Sequence, residues 1–143
     1  MQPVLADTLA AIAEERPKFR RSFKLVEQLL QAYGEDQLAE RLYGEIPCEV
    51  PWEVVADLFG ILTWSTSDNG TALGRKTEEW LRSGEDLRRV QVALHLDAYP
   101  FLDRSEMEQV LNQISVRHPE VADVCKNLVD SRRQLKEDET KRA

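Results

Sequence analysis

The side chains that could carry acid–base, nucleophilic or metal chemistry in this chain are few and widely spaced. Two histidines and two cysteines occur in 143 residues, at His95, His118, Cys48 and Cys125. A structural zinc site needs four nitrogen or sulfur ligands at close spacing, and acid–base catalysis needs a proton-transfer group beside the reacting atom. Four isolated side chains supply neither arrangement. We therefore expect no catalytic residue, no metal site, no cofactor and no enzymatic activity.

Each of these four residues also has a structural interpretation. His95 stands between two leucines, which is typical of a packed or rim position, and His118 ends a helix beside its negative pole. Cys125 falls on an apolar helical stripe, whereas Cys48 lies between two prolines in a loop. The cysteines form no CxxC pair, so we expect two free thiols in a reducing compartment.

Nucleotide and calcium motifs are missing from the sequence. It contains no phosphate-cradling glycine loop, no G-x-S-x-G elbow and no dinucleotide fingerprint. The turn from Ser65 to Gly70 offers several ligand oxygens, but Lys76 occupies the position where a calcium loop needs a bidentate glutamate. This turn therefore predicts a connection between helices rather than an ion site.

Apolar residues recur at helical spacing along most of the chain, and a glycine or proline ends most of these stretches. The pattern predicts an all-α fold, an irregular bundle of about seven short helices. Residues 90–96 alternate like a strand. No second such segment could pair with them, so we predict a buried helix, with a short strand as the alternative. We predict one helical domain over 1–136 and a charged, flexible tail over 137–143.

Five helical faces are predicted to form the core. They are Leu5, Leu9 and Ile12; Phe19, Phe23, Val26, Leu30 and Tyr33; Val54, Val55, Leu58, Phe59 and Leu62; Met107, Val110, Leu111 and Ile114; and Val121, Val124, Cys125, Leu128 and Leu135.

The formal net charge of −7 disfavours nucleic acid as a partner and favours a protein with a basic surface. One basic run departs from this average, with five basic and no acidic residues between Arg16 and Lys24. We interpret the run as a solvated helix face that pairs with acidic residues of the same domain. Phe19 and Phe23 are predicted to point into the core, so no aromatic platform accompanies it.

The location of the protein is also an expectation from sequence. The first sixteen residues lack the basic start and continuous apolar run of a signal peptide, and no segment has the ~18 consecutive apolar residues of a membrane span. We expect a cytoplasmic protein that makes no membrane contact.

The most informative surface is on the helix that starts at Pro51. Glu53, Asp57, Gly60 and Trp64 fall on one side of it, opposite the apolar face. Tryptophan is enriched at interface hot spots, and glycine allows another chain to approach closely. We predict that this face binds a partner. The alternative is that a second helix of the same domain covers Gly60 and Trp64.

Two further sets of residues complete the predicted interface. The turn after this helix adds Asp68 and Asn69. A second-choice surface is the acidic segment with Glu35, Asp36, Glu40, Glu45 and Glu49.

A small acidic domain without catalytic residues could block an enzyme that presents a basic active site. The leading hypothesis is an immunity-type inhibitor of an intracellular toxin enzyme in a bacterium. The alternative is a non-inhibitory helical adaptor or a self-associating module, so a homo-oligomer stays open.

Overall fold

A computed structural model describes the backbone of residues 1–142 and the side chains of residues 1–137. The fold is all-α, as predicted: 74% of the chain is helical, with eight α-helices and no strand in the described part. The helices are α1 (Pro3–Glu15), α2 (Arg21–Tyr33), α3 (Leu38–Glu45), α4 (Trp52–Ser65), α5 (Thr71–Ser83), α6 (Leu87–Leu94), α7 (Arg104–Arg117) and α8 (Ala122–Arg142), with a 3-10 turn over Pro119–Val121. Helix α6 covers most of 90–96, so the helix predicted there is confirmed and the strand alternative is wrong.

The chain divides into two compact units, and the division falls inside α5. Unit 1 is Met1–Thr77, and unit 2 starts at Glu78. The prediction of one domain over 1–136 stays a prediction. Helix α8 extends through Arg142, so residues 137–142 of the expected tail are helical, while Ala143 lies outside the described residues.

The core of unit 1 forms where α1, α2 and α4 pack against one another. Helix α4 is apolar on most sides, and all five residues of its predicted core face are buried. Leu5, Leu9 and Ile12 of α1 are buried too, which confirms the first predicted stripe. Because its core side is fixed by these contacts, α4 presents its opposite face in a defined direction.

The predicted core face of α2 is confirmed at Val26 and Tyr33, which are buried, and wrong at Phe23. Phe23 is 48% exposed, and Phe19 and Leu30 are only partly buried. The buried positions are Ser22, Val26, Leu29 and Tyr33. These positions also follow helical spacing, but they start one residue earlier, at a serine that the apolar pattern does not mark.

Ser22 can be buried because the end of α1 satisfies its polar groups. The carboxylate of Glu15 accepts hydrogen bonds from the backbone N–H groups of Arg21 at 3.0 Å and Ser22 at 2.8 Å, and from the Ser22 hydroxyl. These bonds, led by the one from the Ser22 hydroxyl, lower the pKa of Glu15 to about 2. Glu15 thereby caps α2, whose first N–H groups have no partner within the helix.

Unit 2 has its own core, built from the end of α5, the last three α-helices and the 3-10 turn before α8. Leu81, Val90, Met107, Leu111 and Cys125 are among its buried members. Of the predicted last stripe, Val121 and Cys125 are buried, and Val124 and Leu128 pack at the edge. Leu135 is half-exposed, so its predicted core position is wrong: it lies past Val129, the last buried residue among the described side chains of α8.

Candidate interaction surface

The face of α4 that carries Glu53, Asp57, Gly60 and Trp64, called here the α4 face, is open to solvent at its C-terminal half. The Trp64 side chain is 72% exposed. A Cβ atom built on Gly60 would meet no atom within 4 Å. The alternative that a neighbouring helix covers these two residues is therefore wrong. Glu53 is partly exposed and makes no ion pair with another described residue.

Asp57 has an intramolecular partner at the centre of the α4 face. Its carboxylate forms an ion pair with the guanidinium of Arg16, which starts the basic run. A second member of the run, Arg21, pairs with Glu14 at 2.9 Å. The predicted pairing of the basic run with acids of the same domain is confirmed for these two arginines. Asp57 is consequently not a free negative charge, and its contribution to an interface is weaker than the sequence suggests.

The turn after α4 uses its acidic residue for structure. The Asp68 carboxylate accepts hydrogen bonds from the backbone N–H groups of Ala72 at 3.0 Å and Gly70 at 3.1 Å. These bonds, led by the one from Ala72, lower the pKa of Asp68. Asp68 thus caps α5. Asn69 is exposed with a left-handed backbone, φ 55°, and is the residue of this turn that stays available to a partner.

The second-choice acidic segment reaches the same turn. Glu35 accepts hydrogen bonds from the backbone N–H and the hydroxyl of Ser67, at 2.9 and 3.1 Å. Asp36 and Glu49 are exposed, whereas Glu40 is partly buried. The two surfaces that the sequence separates therefore meet at Ser67, three residues after the tryptophan.

The far end of that segment is engaged within unit 1. Glu45 accepts a hydrogen bond from the Tyr33 hydroxyl at 3.2 Å and lies 3.7 Å from the terminal amine of Met1. Burial, together with the nearby Glu45 charge, raises the pKa of Tyr33. Glu45 is the member of the second-choice set whose role within the unit is clearest.

A third surface was missed by the sequence analysis. Lys18, Arg20, Phe23 and Lys24, called here the basic corner, lie where α1 meets α2. All four side chains are exposed, and none of the three cations pairs with an acid among the described residues. The prediction that no outward aromatic side chain accompanies the basic run is wrong, because Phe23 is half-exposed. The exposure of Phe23 could have been inferred from the series Ser22, Val26, Leu29 and Tyr33, which follows helical spacing and does not include Phe23.

The histidines and the buried cysteine make local contacts. His95 donates from Nδ1 to the Gln91 carbonyl at 2.8 Å, and His118 donates from Nε2 to the Gly84 carbonyl at 2.7 Å. Both rings thus bond to backbone near helix ends. Cys125 is buried, as its stripe predicts, and burial raises the pKa of its thiol. Cys48 is exposed.

Within the described part of the chain, no three His, Cys, Asp or Glu side chains are grouped so that they could hold a metal ion. No described helix combines the length and apolar character needed to cross a bilayer. Comparison with protein-family models, curated proteins and solved structures yields no match.

Proposed function

We propose that this chain is a small acidic binding protein that acts without catalysis and occludes the basic active site of an enzyme. Its mode of action would be that of an immunity protein that neutralises a toxin inside a bacterial cell. The observation that carries the proposal is the exposed indole of Trp64 beside the open position at Gly60.

An exposed tryptophan provides binding energy that the folded unit has not used. A tryptophan side chain can bury up to about 250 Å², so covering the exposed part of Trp64 would remove roughly 180 Å² from water. At about 25 cal/mol per Å², this burial contributes at most about 4.5 kcal/mol, against which stands the entropy cost of association. One turn earlier, Gly60 has no side chain to hold a partner away from the helix. The indole and the glycine together favour a docking site centred on the second half of α4.

The charge around this site favours a basic partner. Between positions 35 and 57 the sequence has seven carboxylates and one arginine. The Asp57 charge is offset by Arg16, and the Asp68 charge interacts with the start of α5. Asp36, Glu49 and Glu53 make no such pair. These three carboxylates would steer a basic surface toward Trp64 during encounter, and salt would screen the effect.

Co-expression tests the proposal directly. The product of the neighbouring gene is expressed alone and together with this chain, and growth is measured. If the neighbour is toxic, the wild-type chain should restore growth, while Trp64→Ala and Gly60→Arg should not. Gly74→Arg is the matched control, because Gly74 is also helical and a Cβ built there meets nothing within 4 Å.

Folding must be checked for each variant by circular dichroism. A toxic neighbour that the wild-type chain does not neutralise would contradict the inhibitor and favour the helical adaptor. Rescue by folded Trp64→Ala would place the contact elsewhere, with Asp36 and Glu49 of the second-choice segment as the next residues to reverse in charge.

A further inference from the structure

The basic corner is an unusual surface for a protein of net charge −7. Lys18, Arg20 and Lys24 are free cations within seven residues, and a half-exposed aromatic ring, Phe23, lies among them. Nothing in the proposed inhibitory function uses this surface. Positive charge beside an exposed aromatic ring fits an occupant that is acidic and offers an apolar side chain.

Unit 1 itself has a surface with these properties, which a second copy of the chain would present. The α4 face carries Glu53 and the exposed Trp64, and the acidic segment before it carries Glu49. The ion pair between Arg16 and Asp57 joins the two surfaces, because Arg16 begins the basic run and Asp57 is at the centre of the α4 face. The basic run and the α4 face are therefore in contact at one point of unit 1, the Arg16–Asp57 pair.

We propose that a second copy of this chain docks here as a symmetric dimer, with the basic corner of each copy against the α4 face of the other. A surface with opposite charges on its two sides is self-complementary under a twofold rotation, and twofold dimers are the commonest oligomers. We expect this arrangement to pair Phe23 of one copy with Trp64 of the other at two symmetry-related places, because both side chains are exposed. Gly60 allows the close approach that this contact needs.

The dimer uses the same α4 face as the proposed inhibitory contact, so a second copy and a basic partner would compete for it. The two ideas nevertheless fail separately. Self-association is measured on the purified chain alone, and neutralisation is measured by growth. A monomeric chain that still restores growth would overturn only the dimer.

The small number of unpaired cations favours a second copy over nucleic acid as the molecule that binds the basic corner. Three free cations allow only about three phosphate contacts, and the remaining surface repels a polyanion. A second copy supplies a few carboxylates, Glu49 and Glu53 among them, and an indole for Phe23. The observations therefore favour the protein occupant, and nucleic acid becomes an outcome of the test.

Sedimentation velocity of the full chain is the first experiment. Over about 1–500 µM we expect the weight-average mass to rise from 16.5 kDa toward twice that value. The dissociation constant should weaken about tenfold between about 0.05 and 0.5 M salt. Lys18→Glu/Lys24→Glu should be monomeric over the same range. Arg75→Glu/Lys126→Glu, which changes the net charge equally at exposed positions, should dimerise like wild type.

Charge exchange is the decisive experiment. Glu49→Lys/Glu53→Lys alone should be monomeric, because both sides of its surface are then basic. Mixed with Lys18→Glu/Lys24→Glu it should form a one-to-one dimer, since each copy now complements the other. A wild-type chain that stays monomeric to about 500 µM overturns the proposal. So does a mixture that fails to dimerise, or a single-stranded oligonucleotide that binds the basic corner of a monomeric chain.

Discussion

Gly60→Ala should stabilise the protein, although most substitutions destabilise. Glycine in the interior of a helix costs about 0.5–1 kcal/mol relative to alanine, because it loses more backbone freedom on folding. The new methyl group would meet no atom within 4 Å, so no steric penalty opposes this gain. The expected increase in the free energy of unfolding is about 0.5–1 kcal/mol. For a unit of 77 residues this corresponds to about 2–8 °C in the melting temperature.

Urea denaturation followed by circular dichroism measures this change, and two other glycines calibrate it. Gly74→Ala is the positive control, since Gly74 is helical and equally open. Gly70→Ala should destabilise by about 1–3 kcal/mol, because Gly70 has a φ of 77° and its Cβ would lie 2.7 Å from Cγ2 of Thr63. If Gly60→Ala destabilises while Gly74→Ala stabilises, the α4 face is covered within the chain and the proposed docking site is lost.

Three further measurements test separate parts of the structure. Trp64→Ala should lower the free energy of unfolding by less than about 2 kcal/mol, whereas Trp80→Ala, whose side chain is 4% exposed, should lower it by about 3–5 kcal/mol; equal losses would contradict the exposed indole. The stability contributed by ionised Glu15 is present above its ordinary pKa of 4.5 and is lost as the pH falls toward about 2. Glu15→Gln should therefore be less stable than wild type at pH 7, and its free energy of unfolding should fall less than that of wild type between pH 5 and pH 2. Parallel pH profiles of the two proteins would count against the cap. Cys48 should react with a thiol reagent in the native protein and Cys125 only after unfolding, and equal labelling of the native chain would show that Cys125 is accessible.

The sequence predicts those features of the fold that depend on residues of one helix, and it fails for those that depend on contacts between helices. The predicted core face of α4 is correct because its five apolar residues are adjacent on the helix surface, and the broad apolar side also buries Ala56 and Ile61, which the prediction left out. Helix α2 allowed two registers. The observed register buries Ser22, a polar residue whose backbone N–H and hydroxyl donate hydrogen bonds to Glu15 of α1. A periodicity argument weighs apolar residues and cannot detect such a contact.

The candidate site shows the same division between local and distant causes. The cap formed by Asp68 could have been predicted, since an aspartate shortly before a helix start is a standard signal. The pairing of Asp57 with Arg16 could not, because these residues are far apart in sequence and meet only through the packing of α1 on α4. The angular position of Trp64 placed it opposite the apolar face, but the sequence left open whether another helix covers it, and only the structure shows that it is exposed.

The Arg16–Asp57 pair also changes how electrostatic binding should be tested. Asp57→Lys would place a cation beside Arg16 and oppose the packing of α1 on α4, so any loss of binding could come from a loss of stability. Glu53→Lys alters the same face by the same charge without breaking a pair. If steering depends on this face, Glu53→Lys should slow association with a basic partner and reduce its salt dependence, with the melting temperature almost unchanged. If only Asp57→Lys weakens binding, Asp57 acts by stabilising the unit through its pair with Arg16, and the charge of the α4 face does not steer the partner.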